Sequence, residues 1–119
     1  MYELKLKHHF SAAHQLKNAY SKECNDSIHG HNWKVGIIVR TDKLYNSMVI
    51  DFKLIKEIIN KLDHKNLNDI LDFETTAENL SKYIKDQIQF EIDKMEIERN
   101  VEVEIEVFEV DNASIRYYE

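Results

Sequence analysis

Apolar and polar residues alternate without interruption from Tyr2 to His14. Tyr2, Leu4, Leu6, His8, Phe10, Ala12 and His14 fall on one side, and Glu3, Lys5, Lys7, His9, Ser11 and Ala13 on the other. Successive side chains of a strand point to opposite faces, so this period predicts a half-buried β-strand with His14 at the end of its apolar face. His8 shares that face near the strand's middle and reads as a packed core histidine, while His9 reads as solvent-facing. A second alternating run, from about His29 to Arg40, carries His29, His31, Trp33, Val35, Ile37 and Val39 on one face. Antiparallel pairing of the two runs would bring His14 close to His29 and His31.

The period then changes. Thr41 to Ser47 reads as a turn, and Met48 to Ile50 as a short returning strand. Asp51 suits the N-cap of a helix whose Leu54, Ile55, Ile58, Ile59 and Leu62 form an apolar stripe. Leu62 to Asn68 reads as a helix end and loop. Thr75 with Glu78 three residues later has the form of a capping box, opening a second helix that buries Leu80, Tyr83, Ile84, Ile88 and Ile92. Val101, Val103, Ile105 and Val107 alternate with three glutamates in another strand, and a turn at Asp111 to Ala113 leads to a last strand through Ile115 and Tyr117. The predicted order is β-β-α-α-β-β, an α+β domain in which a four-stranded antiparallel sheet carries two helices on one face.

Composition narrows the class. At 119 residues the chain is expected to be one domain, residues 1–119, with two glycines and no proline to mark a linker. A formal net charge of −6 argues against a nucleic-acid partner, which would need clustered Lys and Arg. The lone cysteine, Cys24, cannot form an internal disulfide, and no apolar run has the length of a signal peptide or membrane span, so the expected setting is the cytoplasm. The acidic stripe of Glu102, Glu104 and Glu106 reads as a solvated face, or one paired across strands with Lys5, Lys7, Lys34 or Arg40.

Candidate chemistry concentrates where the two N-terminal strands meet. Three neutral imidazoles from His14, His29 and His31 would leave the fourth tetrahedral position of a zinc ion open, as in catalytic sites; Cys24 as a fourth ligand would close it. Asp63 beside His64 could orient an imidazole as a proton shuttle, although the pair taken alone reads more readily as a helix C-terminal turn. Glu109 continues the apolar parity of its strand, so either the strand has ended or the carboxylate faces a cationic or hydrogen-bond-donating ligand.

These residues resemble one family, the zinc-dependent pterin synthases comprising 6-pyruvoyltetrahydropterin synthase and 6-carboxytetrahydropterin synthase. The resemblance rests on Phe10-Ser11-Ala12-Ala13-His14, on Cys24 followed by His29-Gly30-His31-Asn32-Trp33, and on Ile50-Asp51-Phe52. It continues through Leu62-Asp63-His64-Lys65-Asn66-Leu67-Asn68, Thr75-Thr76 with Glu78-Asn79, and Phe108-Glu109, in family order along nearly the whole chain. It implies the tunnelling fold, with subunits joined into a homo-oligomer, usually a hexamer made of two trimers. It also implies zinc on His14, His29 and His31, Cys24 as general base, Asp63 and His64 as proton relay, and Glu109, Thr75 and Thr76 at the pterin ring. The implied substrate is 7,8-dihydroneopterin triphosphate. The product is either 6-carboxytetrahydropterin, with release of acetaldehyde and triphosphate, in queuosine (7-deazaguanine) biosynthesis, or the 6-pyruvoyl compound. Lys34, Arg40 and Arg116 are candidates for the triphosphate grip. Four residues separate Cys24 from His29, where carboxy-forming members have three and animal enzymes five. A non-catalytic zinc-stabilised binding module is the reading from another class.

Overall fold

The computed structural model describes residues 1–16 and 27–119. Strands β1 (Tyr2–His14) and β2 (His29–Thr41) pair antiparallel along their whole length, from Tyr2 opposite Thr41 to His14 opposite His29. The alternation in the sequence explains the long register: a slip of one residue would turn every apolar side chain of a strand to the wrong face. Phe10 and Trp33 are direct cross-strand partners whose rings stack 5.9 Å apart. Helix α1 (Phe52–Asn60) follows, capped by Asp51, whose carboxylate accepts from the Lys53 amide. The chain continues through β3 (Lys65–Asn66), α2 (Leu67–Ile70), α3 (Ala77–Asp93), β4 (Val101–Val110) and β5 (Ala113–Tyr117).

The sheet order is β3-β1-β2-β4-β5. The core lies between the apolar sheet face, with Trp33, Val35, Ile37, Val39, Ile105 and Val107, and the helix stripes of Ile55, Ile59, Leu80, Ile84 and Ile88. Burial of these side chains removes the apolar surface that drives folding.

Three expectations need correction. Among the described residues the sheet has five strands and is mixed, and there are three helices, not two. The extra strand arises because His64 adopts a left-handed backbone (φ 57) and reverses the chain after α1. Its amide donates to Ser11 O at 2.7 Å while Asp63 Oδ1 accepts from Ser11 N at 2.9 Å, laying Lys65 and Asn66 parallel to Ala12 and Ala13. The N-cap of α3 is Thr76, which accepts from the Asn79 amide, and not Thr75. Met48 to Ile50 forms no strand: Met48 makes one isolated bridge to Tyr45, closing a tight turn in which Asn46 and Ser47 both take positive φ.

The outer sheet face carries the acidic stripe as a cross-strand network. Arg40 Nε donates to Glu3 Oε1 at 2.7 Å and its Nη1 to Glu104 Oε1 at 2.5 Å, and Ser114 donates to Glu106. His8 is half-buried and meets Asn60 Oδ1 at 2.8 Å; His9 is exposed. Among the described residues no helix is long and apolar enough to cross a membrane.

Candidate metal centre

The register that pairs His14 with His29 sets His31 opposite Ala12, two residues further along β2 on the same face. The three imidazoles therefore converge, with ring centroids 4.6 Å (His14–His29), 5.2 Å (His14–His31) and 4.9 Å (His29–His31) apart. Trp33 floors the cluster edge-on to His14 and His31, and its indole N–H donates to Ala12 O. Glu109 joins from β4. His14, His29, His31 and Glu109 each present one ligand atom, all within 4.8 Å of one another.

Tautomers follow from the partners. The Thr75 carbonyl can only accept, so the 2.8 Å contact makes His14 Nδ1 the protonated nitrogen and frees Nε2 as an acceptor or ligand. His29 Nδ1 stands 3.3 Å from Ser27 O in the same sense. Nε2 of His14 and Nε2 of His31 are buried without a hydrogen bond. Glu109 Oε1 lies 3.0 and 3.1 Å from them, close enough for ion pairing but not aligned as a hydrogen-bond acceptor. Burial pushes the His31 imidazole below its ordinary value, partly offset by Glu109. Contact with His14 holds the Glu109 carboxyl below the usual carboxylate range, against its own burial. Imidazole nitrogens, two of them buried without a hydrogen bond and both beside Glu109 Oε1, suit a borderline-soft divalent ion such as zinc.

Of the other site residues predicted from sequence, Thr75 adjoins the cluster and His64 shares a cleft with His31. Cys24 lies outside the described residues. Asp63 and His64 form a pair, with Oδ2 3.4 Å from Nε2, and His64 is 83% exposed. An open cleft of about 520 Å³ is lined by Ser11, Gly30, His31, Asn32, His64 and Asn66. Thr75 is buried against His14, and Thr76 caps α3. One feature escapes sequence reasoning altogether, and one is only hinted at. The Thr75 carbonyl that orients His14 has no residue signature, since any loop residue supplies one. The approach of Glu109 to the histidines was signalled only by its parity on the apolar face.

A family model described as 6-pyruvoyl tetrahydropterin synthase matches residues 3–119. The 6-carboxy-5,6,7,8-tetrahydropterin synthase of Bacillus subtilis is 33% identical over 104 residues, covering 80% of this chain and 70% of that protein. The 6-pyruvoyl tetrahydrobiopterin synthase of Drosophila melanogaster is 36% identical over 115 residues, covering 79% and 68%. The fold is similar to that of Caenorhabditis elegans 6-pyruvoyl tetrahydropterin synthase, with a TM-score of 0.74 and 22% identity over 99% of this chain and 95% of that one. With the family model covering nearly every residue, the chain belongs to the 6-pyruvoyl tetrahydropterin synthase family.

Proposed function

We propose that this protein is a zinc-dependent 6-carboxytetrahydropterin synthase, a lyase that converts 7,8-dihydroneopterin triphosphate and one water to 6-carboxy-5,6,7,8-tetrahydropterin, acetaldehyde and triphosphate. The convergence of His14, His29 and His31, with the Nε2 atoms of His14 and His31 buried and without hydrogen bonds, carries the reading. Zinc held by these residues would supply Lewis acidity, polarising the substrate's side-chain hydroxyls and acidifying the neighbouring carbon-bound proton. Cys24, as thiolate, takes that proton, and His64 held by Asp63 Oδ2 returns one. Glu109 accepts hydrogen bonds from the amino and ring N–H donors of the pterin, with Thr75 and Thr76 at the same end of the site.

The protein works in the cytoplasm as a homo-oligomer of the tunnelling fold, a hexamer built from two trimers, and supplies queuosine (7-deazaguanine) biosynthesis. A 6-pyruvoyltetrahydropterin synthase is the rival, favoured by the similarity to the Drosophila protein. Mass spectrometry of products from the zinc-loaded protein and 7,8-dihydroneopterin triphosphate, under anaerobic conditions, decides between them. A 6-carboxy product with acetaldehyde is expected. A 6-pyruvoyl product moves the protein to the rival branch, and unchanged substrate leaves the zinc-stabilised binding module.

A further inference from the structure

Glu109 stands where a strand interior would bury a carboxylate. Val103, Ile105 and Val107 precede it on the helix-facing side of β4, all buried. The β4–β5 ladder shifts register between Phe108 and Val110, so Glu109 is the residue left out of the pairing, and the β2–β4 ladder ends at Lys34 opposite Phe108. An irregularity of this kind re-aims one side chain, here toward the histidines. Glu109 Oε1 then comes within 3.0 Å of His14 Nε2 and 3.1 Å of His31 Nε2.

The geometry of that contact suits an ion between the atoms. The Thr75 carbonyl accepts from His14 Nδ1, which leaves Nε2 as the ring nitrogen turned toward Glu109 Oε1, and one ligand atom from each of His14, His29, His31 and Glu109 lies within 4.8 Å of the others. Ligands bonded to zinc at its usual distances of about 2.0–2.1 Å stand about 3.3 Å apart along the edges of a tetrahedron, close to the separations seen here.

We propose that Glu109 is the fourth ligand of the ion held by His14, His29 and His31 in the substrate-free protein, closing the site until a bound molecule displaces it. Resting on the pterin reading above, the carboxylate so released is the one that receives the N–H donors of the ring. One side chain thereby couples ring recognition to the opening of a coordination position, and a small anion or water gains less from the ion than a molecule that also engages Glu109.

Cobalt(II) in place of zinc makes the ligand set visible, because its absorption in the visible range reports coordination number and donor type. Titration of the metal-free protein with cobalt, with a competing chelator to measure affinity, is run on the unaltered chain, Glu109→Gln and Glu106→Gln. The expected result is an altered spectrum and an affinity lowered by about tenfold or more in Glu109→Gln, with Glu106→Gln, whose carboxylate lies on the outer face, unchanged. Matching spectra and affinities for Glu109→Gln and the unaltered chain overturn the proposal. So does an intense thiolate-to-cobalt band that Cys24→Ala removes. A crystal structure of the unaltered zinc-loaded protein needs no variant: a Glu109 oxygen about 2.0–2.2 Å from zinc is expected, and a water there with Glu109 turned away overturns the proposal. Glu109→Gln that keeps its metal and spectrum but loses pterin binding sinks the fourth-ligand role and leaves the pterin reading intact. An altered Glu109→Gln spectrum in a protein that leaves the pterin unchanged does the reverse.

Discussion

Asp63 does two things that substitution can separate. Its Oδ1 accepts from the Ser11 amide at 2.9 Å in a half-buried setting, tying the turn after α1 to the edge of β1, while Oδ2 faces His64 at 3.4 Å. The contact with an 83% exposed imidazole adds little to stability. A hydrogen bond to a charged acceptor contributes about 1.5–3 kcal/mol, and partial solvent exposure of the carboxylate reduces this to about 1–2 kcal/mol for Asp63→Ala. Asp63→Asn keeps an acceptor oxygen in place and should cost about half as much. An unfolding entropy of about 2.1 cal/mol/K per residue over 119 residues converts each kcal/mol into about 4 °C. Thermal unfolding of the metal-free protein followed by circular dichroism should therefore place Asp63→Ala about 4–8 °C below the unaltered chain and Asp63→Asn between them. Turnover should behave differently: if Asp63 orients His64 for proton return, both variants lose most of kcat. Equal melting of Asp63→Ala and the unaltered chain would refute the tethering argument, and full activity of Asp63→Asn would refute the relay.

The remaining expectations are simpler to check. Thr76→Ala removes the cap of α3 and should cost about 1 kcal/mol, read as a fall of about 4 °C in melting temperature; no change would return the cap to Thr75. Zinc at a thousandfold excess over its Kd should raise the melting temperature by about 16 °C, corresponding to about 4 kcal/mol of linkage, and chelation should reverse it; a melting temperature indifferent to chelator contradicts a folded-state site. Metal-free stability should fall on acidification. His31 takes its proton at lower pH in the folded state than the 6.5 of the unfolded chain, so below about pH 6.5 the unfolded state binds more protons and gains. Glu109, also held below its ordinary value, adds to the loss as pH falls past 4.5. Denaturant titrations at pH 7.5 and 5.5 check the sign, and greater stability at pH 5.5 contradicts it.

Strands β1, β2 and β4 were legible because alternation is a property of single residues and each strand has one wet face. Helices α1 and α3 were legible from their stripes, and the convergence of three histidines followed from parity plus antiparallel pairing. What escaped lies in backbone geometry. Strand β3 is two residues long and exists because His64 turns left-handed and Asp63 reaches Ser11, neither of which a hydrophobic period records. The cap fell one residue later than expected because adjacent threonines offer the same hydroxyl, and the backbone decides which faces Asn79. The parity of Glu109 raised the choice between a strand end and a ligand-facing carboxylate, but the register shift that carries it to the imidazoles is invisible in the sequence.

Metal stoichiometry tests most directly whether His14, His29 and His31 form a metal centre. The protein, stripped of metal and dialysed against trace zinc, is assayed by inductively coupled plasma mass spectrometry beside His31→Ala and the outward-facing His9→Ala. One zinc per chain in the unaltered protein and His9→Ala, with its loss from His31→Ala, is the predicted result. Zinc retained at full stoichiometry by His31→Ala, or absent from the unaltered chain, would contradict the account.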